Sequence, residues 1–378
     1  MKVTHVIGSC VPGGAEIFTK TLLIELKKQG LDVNLWIMTP MEMTDQEDQG
    51  KLSFQNDFIQ DLADHNIATN FIGKRPRKDW VKTKRALREL YKQGESDIIH
   101  SHLESVSFHV CRAFWSKPDP LVQTVHSTKI NHPFVGRVFL RRGFSRYIAI
   151  SSKVSDIIQK TLGVEERKIR VILNGVDTKR LQNASTEKTR NNIENLIAIG
   201  RLTEAKDYPN LLKAFFILKT KMDSKHTAVP KLIIVGEGEL RPQIEQIICD
   251  LGLKDYVKLL GLRNDIPELL SKSDIYVMAS EWEGLSISLI EALAAGIPIV
   301  ATDAGSNNEI VQNGQSGIIV PCKDPESLAE ALFQLIKDRE ARERFSINAR
   351  QQAENFSIEK CAEKHIEMYE ELLKNPKH

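Results

Sequence analysis

The sequence lacks the marks of several protein classes. Its five cysteines (Cys10, Cys111, Cys249, Cys322 and Cys361) are scattered, odd in number and never form a C-x-x-C pair. This pattern argues against a disulfide framework and a structural zinc, and makes the reducing cytoplasm the expected compartment. No apolar run reaches the ~18 residues that a membrane span needs. Even the most apolar stretch, Leu285 to Ala301, is broken by Glu291. The segment Met1 to Cys10 has no h-region followed by a small-residue cleavage site, so it does not read as a signal peptide. No repeat at a solenoid period is present.

What is there is an ordinary globular chain of 378 residues, 41% hydrophobic and 27% charged. At roughly 150 residues per domain the expectation is two domains, each able to bury its own core. The formal charge of +2 hides an asymmetry. Met1 to Leu173 holds 26 Lys and Arg against 19 Asp and Glu, whereas the remainder holds 26 against 31. A basic half joined to an acidic half suggests that one face meets an anionic partner: nucleic acid, a membrane or a phosphorylated ligand.

Short β-branched runs alternate with segments of helical spacing. The strand-like runs are Lys2–Gly8, Val33–Met38, Asp97–His102, Leu121–His126 and Tyr147–Ser151, then Leu196–Gly200, Leu232–Gly236, Val257–Gly261, Asp274–Met278 and Ile297–Thr302. Between them, Ala15–Gln29, Tyr208–Lys221 and Leu328–Lys337 repeat apolar residues every three or four positions. A final amphipathic helix is expected from about Ile358 to Leu373, with Ser357 as its N-cap. Strand, crossover helix and parallel strand together predict an α/β fold with two doubly wound, Rossmann-like sheets in series. The joint falls at Leu173–Asp177, followed by the polar stretch Thr178–Glu194. Domains over 1–173 and 174–356 follow, with ligands expected at the carboxyl ends of the strands and a cleft between the two domains.

Three constellations at such ends could carry chemistry. Ser280 to Ser286 follows a strand and opens a helix that Gly296 and Pro298 end. Glu283 therefore stands at a strand end and Glu291 about two turns into the helix. Gly284, Leu285 and Ser286 offer backbone N–H groups suited to a diphosphate. The alternative is a helix-terminal carboxylate with no ligand. Arg201 and Lys206, just after Leu196–Ile199, could neutralise phosphate oxygens and remove the need for a divalent metal, or be two exposed cations. Gly13 and Gly14, between the first strand and first helix, would let a ligand approach the backbone, or make a plain turn.

Other motifs read less chemically. Gly236-Glu237-Gly238-Glu239-Leu240-Arg241 departs from a dinucleotide fingerprint, with acids that would repel pyrophosphate; it reads as a strand-to-helix turn and disfavours a dehydrogenase. His100 and His102 have metal-ligand spacing, but no further Cys, His or Asp cluster completes a site, and no metal is expected. His126, ending a strand, is the better candidate for hydrogen-bonding a substrate hydroxyl; His102 reads as structural.

Together these residues resemble the retaining glycosyltransferases of family 4. Glu283 to Glu291 matches their E-x7-E signature, and Gly13-Gly14, Asn174–Asp177, Gly200-Arg201 with Lys206, and Val235–Gly238 match in the same order. The resemblance spans essentially the whole chain. It implies the GT-B architecture, with the acceptor on the first domain, the nucleotide-sugar on the second, and the helix over 357–378 crossing back onto the first. It implies that Arg201 and Lys206 hold the donor diphosphate, Glu291 the ribose, and Glu283 and His126 the transferred sugar. Backbone groups of Gly284, Leu285 and Ser286 complete the grip, Gly14 approaches the donor, and the loop containing Arg263 reads the base. A UDP-sugar is favoured over GDP-mannose as donor of a hexose or N-acetylhexosamine.

The basic surplus is concentrated in Lys74–Lys92, with nine cations, two acids, Trp80 and Tyr91, and in Phe134–Phe144, where cations mix with apolar residues. Both read as membrane-facing, unless they are solvated helix faces. A lipid-linked or lipid-anchored glycan acceptor at the cytoplasmic face of the membrane is the matching expectation. The alternatives are a nucleotide-sugar epimerase on a similar scaffold and a non-catalytic binding subunit. Nucleic-acid binding lacks a recognition helix or stacking platform.

Overall fold

The computed structural model describes residues 1–43, 49–75, 79–115, 120–130, 133, 136–184 and 193–374. The sequence folds into two compact units. Met1–Gly175 together with Ile358–His378 forms the first, and Val176–Ser357 the second.

The first unit holds a seven-stranded parallel sheet: β1 (Lys2–Ile7), β2 (Asp32–Ile37), β3 (Ala68–Phe71), β4 (Ile98–His102), β5 (Leu121–Val125), β6 (Arg146–Ala149) and β7 (Ile169–Val171). Its order is β3-β2-β1-β4-β5-β6-β7. The second holds β8 (Asn195–Ile199), β9 (Lys231–Val235), β10 (Val257–Leu259), β11 (Ile275–Met278), β12 (Ile299–Thr302) and β13 (Gly317–Val320), ordered β10-β9-β8-β11-β12-β13. Relabelled from its first strand, each sheet reads 3-2-1-4-5-6, the doubly wound order, and the first adds one edge strand. The strand direction of winding reverses between β1 and β4 and between β8 and β11. Ligands of such sheets gather at those switch points.

Central strands such as β11 and β12 are buried along their whole length, as both faces of a parallel sheet are covered by helices. In the second unit Phe215, Leu218, Leu232, Ile234, Val277, Val300 and Leu332 join one core. Several helices begin at sequence-encoded caps. Asp207 accepts from the Asn210 N–H at the start of Tyr208–Ser224, and Asp324 from the Ser327 N–H ahead of Pro325–Lys337. Pro209 and Pro325 sit in the first turns, where a missing N–H costs nothing.

Three strands escaped the sequence reading. β3 and β7 are edge strands of four and three residues with none buried, and β13 has four residues. Two residue readings are overturned. Tyr91 is not membrane-facing; it is buried against Phe114 at 5.5 Å. Leu140 and Phe144, expected to be exposed, are core residues of the first unit. Arg77, Lys78, Phe134 and Val135, and the side chains of Phe139 and Arg142, lie outside the described residues, as do 185–192 of the polar stretch and 375–378 of the last helix.

Candidate active site

Gly200-Arg201-Leu202 leaves β8, and Ser280 to Ser286 leaves β11, on either side of the second switch point. The two loops touch: the Glu281 N–H donates to the Ala205 carbonyl at 2.9 Å. The central interaction is an ion pair, Lys206 Nζ to Glu283 Oε1 at 2.5 Å, with side chains only 19% and 11% exposed. Ser280 Oγ donates to the same carboxylate oxygen at 2.7 Å. Lys206 reaches it by lying across Gly200, where an added Cβ would come within 2.9 Å of its Cε. Lys206, Tyr208 and Ser280 line a small cavity at this point.

Two further glycines fix this geometry, and the sequence reading missed one of them. Gly305 adopts φ +53°, and a Cβ there would sit 2.0 Å from the Glu283 carbonyl oxygen. It therefore sets the height of the Glu283 backbone. The turn at Gly236-Glu237-Gly238 packs directly on the other loop. Gly236 has φ +139° and would strike the Gly200 carbonyl with any side chain. The Leu202 N–H donates to the Glu237 carbonyl at 2.9 Å. So this glycine motif shapes the Arg201 turn.

Leu285 and Ser286 are buried ahead of the helix Ile287–Ala294, and Gly284 is partly exposed. The Ser286 side chain makes no capping bond to its helix. Tyr276 and Ser288 brace this helix start, the Ser288 hydroxyl donating to the Ile199 carbonyl at 3.0 Å and Tyr276 OH donating to Ser288 Oγ at 2.9 Å. Glu291 lies on the same helix. Burial pushes its carboxyl up to about 7, against a smaller downward pull from Arg180. Arg201 is exposed at the loop tip. Arg263 makes a two-pronged pair with Asp265 at 2.7 and 2.5 Å. Thus Arg201, Lys206, Glu283, Gly284, Leu285, Ser286 and Glu291 belong to one end of the second sheet.

Gly13, Gly14 and His126 belong to the first unit. Gly13 precedes the helix Gly14–Lys28, and a Cβ on it would meet Glu16 Oε2 at 2.5 Å. The carboxylate of the chain's own Glu16 thus folds back over this helix start. His126 follows β5 and is joined to His102, whose Nδ1 lies 3.0 Å from His126 Nε2. Here the expectation that nothing joins the H-x-H pair is corrected. His5 on β1 is in register with His100, and His5, His100 and His102 bring ring nitrogens within 4.8 Å of one another. The pattern was half visible, because residues two apart on a strand share a face. The partner strand's register was not.

The sequence profile "Glycosyl transferases group 1" matches residues 177–352, and "Glycosyltransferase Family 4" matches residues 12–180. The chain belongs to glycosyltransferase family 4. It is an enzyme that transfers glycosyl groups, and its two Rossmann-like units are those of the GT-B fold. This glycosyltransferase is 27% identical to the UDP-Gal:alpha-D-GlcNAc-diphosphoundecaprenol alpha-1,3-galactosyltransferase of Escherichia coli, over 99% of this chain and 98% of that one. It is 26% identical to the GalNAc-alpha-(1->4)-GalNAc-alpha-(1->3)-diNAcBac-PP-undecaprenol alpha-1,4-N-acetyl-D-galactosaminyltransferase of Campylobacter jejuni, over 98% and 99%. Among solved structures, Anabaena Alr3699/HepE in complex with UDP-glucose superposes with a TM-score of 0.82 at 22% identity, covering 98% of this chain and 100% of that one. No helix of the described residues is long and apolar enough to cross a membrane.

Proposed function

We propose that this glycosyltransferase moves a hexose or N-acetylhexosamine from a UDP-sugar to an undecaprenol-diphosphate-linked glycan, with retention of anomeric configuration and without a divalent metal. The observation that carries the donor half is the Lys206–Glu283 pair beside the start of Ile287–Ala294. The relatives that act on undecaprenol-linked substrates support the acceptor half.

In this reading the diphosphate meets Arg201, Lys206 and the N–H groups of Gly284, Leu285 and Ser286. As the bond from the anomeric carbon to the β-phosphate oxygen breaks, its electron pair goes to that oxygen. Two cations and a helix N-terminus then face the developing charge, the part a divalent metal would otherwise play. The acceptor oxygen bonds to the same face of the anomeric carbon, and its proton passes to the departing phosphate. Glu283 is assigned to holding the sugar, since its carboxylate is engaged by Lys206 and Ser280 and is poorly placed for attack. Glu291 takes the ribose hydroxyls, Arg263 the base, Gly13 and Gly14 approach the donor, and His126 bonds a sugar hydroxyl.

The decisive experiment incubates the enzyme with UDP-sugars and an undecaprenyl-diphosphate-linked GlcNAc acceptor in EDTA. Free UDP with an α-linked product is expected. A β-linked product, a requirement for metal, or sugar conversion without UDP release would each overturn the corresponding part.

We further infer that the first unit docks on an anionic membrane surface at the cytoplasmic face. Trp80, Val81 and Trp115 are 47%, 74% and 56% exposed, and the helix Trp80–Gly94 also exposes Lys82, Lys92 and Arg85, the last paired with Glu89 at 3.3 Å. Trp80 is held edge-on by Phe108 and His109, with the Arg112 guanidinium over its ring. At ~1 kcal/mol per cation near an anionic surface, contacts of this kind add up to reversible docking. Arg88 contributes differently, donating to the Ala113 carbonyl at 2.8 Å. Co-sedimentation with anionic vesicles should fall in Lys82→Glu/Arg85→Glu, and binding indifferent to lipid charge and salt would refute the docking.

A further inference from the structure

The first sheet carries an unusual feature at its switch point. His5 on β1, His100 and His102 on β4, and His126 after β5 pack as a chain of imidazoles with centroids 4.4 to 5.3 Å apart. The helix Ile358–Lys374 covers them with His365 and Tyr369, one turn apart. Burial holds His5 and His126 down at about 3 and His365 at about 4, and pushes His100 and His102 well below the usual range. All five are therefore neutral at pH 7, so each ring carries one proton on one of two nitrogens.

The contacts thread these rings in one line. Thr124 Oγ1 lies 2.7 Å from His100 Nε2, and His100 Nδ1 lies 2.6 Å from Tyr369 OH. Tyr369 OH lies 3.4 Å from His5 Nε2, His5 Nδ1 3.0 Å from His102 Nε2, and His102 Nδ1 3.0 Å from His126 Nε2. Two facing nitrogens at 3.0 Å need a proton between them and only one, so each ring's tautomer dictates the next. The chain has two consistent states, running in opposite directions.

The phenol chooses between them. Tyr369 has one proton and two histidine neighbours. Of its two contacts, 2.6 Å to His100 and 3.4 Å to His5, the shorter suits the bond in which the phenol, a stronger donor than a neutral imidazole, gives its proton. The phenolic proton therefore goes to His100 Nδ1, and His100 Nε2–H donates to Thr124. The phenol oxygen then faces His5 with lone pairs only, so His5 must bring a proton on Nε2. His5 Nδ1 accepts from His102 Nε2–H, and His102 Nδ1 accepts from His126 Nε2–H. The Nδ1 of His126 is left with a bare lone pair. His126 is partly exposed, and that atom has no hydrogen-bond partner among the described residues.

We infer that Tyr369, acting through His5 and His102, is a positioning residue that fixes His126 as a hydrogen-bond acceptor at Nδ1, ready for a hydroxyl of the donor sugar. The role of the chain rests on the reading of His126 as a sugar partner; its tautomer does not. The same line of bonds argues against a metal on His5, His100 and His102, because every one of their ring nitrogens is already engaged.

The test is the 15N spectrum of the imidazoles in the full-length enzyme. Wild type should show His126 protonated at Nε2 and unprotonated at Nδ1, a result that needs no variant. Tyr369→Phe keeps the ring but removes the hydroxyl, and should turn His126 into a mixture of tautomers. With the acceptor form then near half of the population, donor KM should rise about twofold or more while kcat at saturating donor holds. A His126 protonated at Nδ1 in wild type, or stoichiometric zinc uptake by these histidines, would overturn the inference, as would an unchanged His126 spectrum in the folded Phe variant. The sugar-binding reading fails separately, if His126→Ala leaves donor KM and kcat unaltered.

Discussion

At the scale of single residues, the second unit's site depends on one charge pair and the glycines around it. Lys206→Ala and Glu283→Ala should each lower kcat by about 10²-fold or more, the loss typical when a group aimed at developing charge is removed. Each variant leaves the other charge of a largely buried pair without its partner, so thermal unfolding should also shift down, and kcat is compared well below that transition. Gly305→Ala tests the scaffold under Glu283 without touching a charge. An alanine there must hold a left-handed φ and push back the Glu283 carbonyl. Strain of about 1–3 kcal/mol and at least a tenfold drop in kcat are expected, measured by calorimetry and steady-state kinetics. Glu283 and Lys206 were legible in the sequence because glycines and strand ends mark them locally. Gly305 and Tyr369 were not, since each acts on a residue distant in the chain.

At the scale of elements, the face shared by β1, β4 and β5 makes the first unit sensitive to acid. Unfolded histidine binds a proton below about pH 6.5. Burial keeps His5 and His126 neutral down to about 3 and His365 down to about 4. Over that interval the unfolded chain binds more protons than the folded one, so stability present above pH 6.5 is lost as pH falls. The slope is about 1.4 kcal/mol per pH unit for each ring that stays neutral. Urea midpoints measured from pH 7.5 to 5 should fall accordingly, and His5→Gln should flatten the curve. The strands themselves were legible where apolar runs are buried on both faces. Edge strands β3 and β7 were not, because four and three residues with Phe71 and Val171 exposed make no buried apolar run. In Lys74–Lys92, composition does not say how deeply either aromatic is buried: Tyr91 is enclosed, whereas Trp80, at the start of the helix, packs on Phe108 and His109 yet stays 47% exposed.

At the scale of the whole molecule, alternation of strand and helix was enough to predict two doubly wound units, since parallel strands need a crossover and the crossover has one hand. The number of strands and the pairing of loops at the switch points depend on contacts between distant segments, which local patterns do not encode. A UDP-sugar that binds the native chain should raise its melting temperature. At a hundred times Kd the stabilisation is about 2.7 kcal/mol, readable by differential scanning fluorimetry. Arg201→Ala should remove most of the shift, and an unmoved transition in wild type would count against the donor assignment.

The first unit is interrupted in sequence: its last helix, Ile358–Lys374, follows the entire second unit. On the ribosome, β1 to β7 therefore emerge some 180 residues before the segment that seals their histidine face. During that delay the face formed by His5, His100, His102 and His126 lacks the phenol that orders it. Arrival of this helix supplies Tyr369 and with it a single proton arrangement, so the first unit would acquire its working form only after the whole second unit has been made.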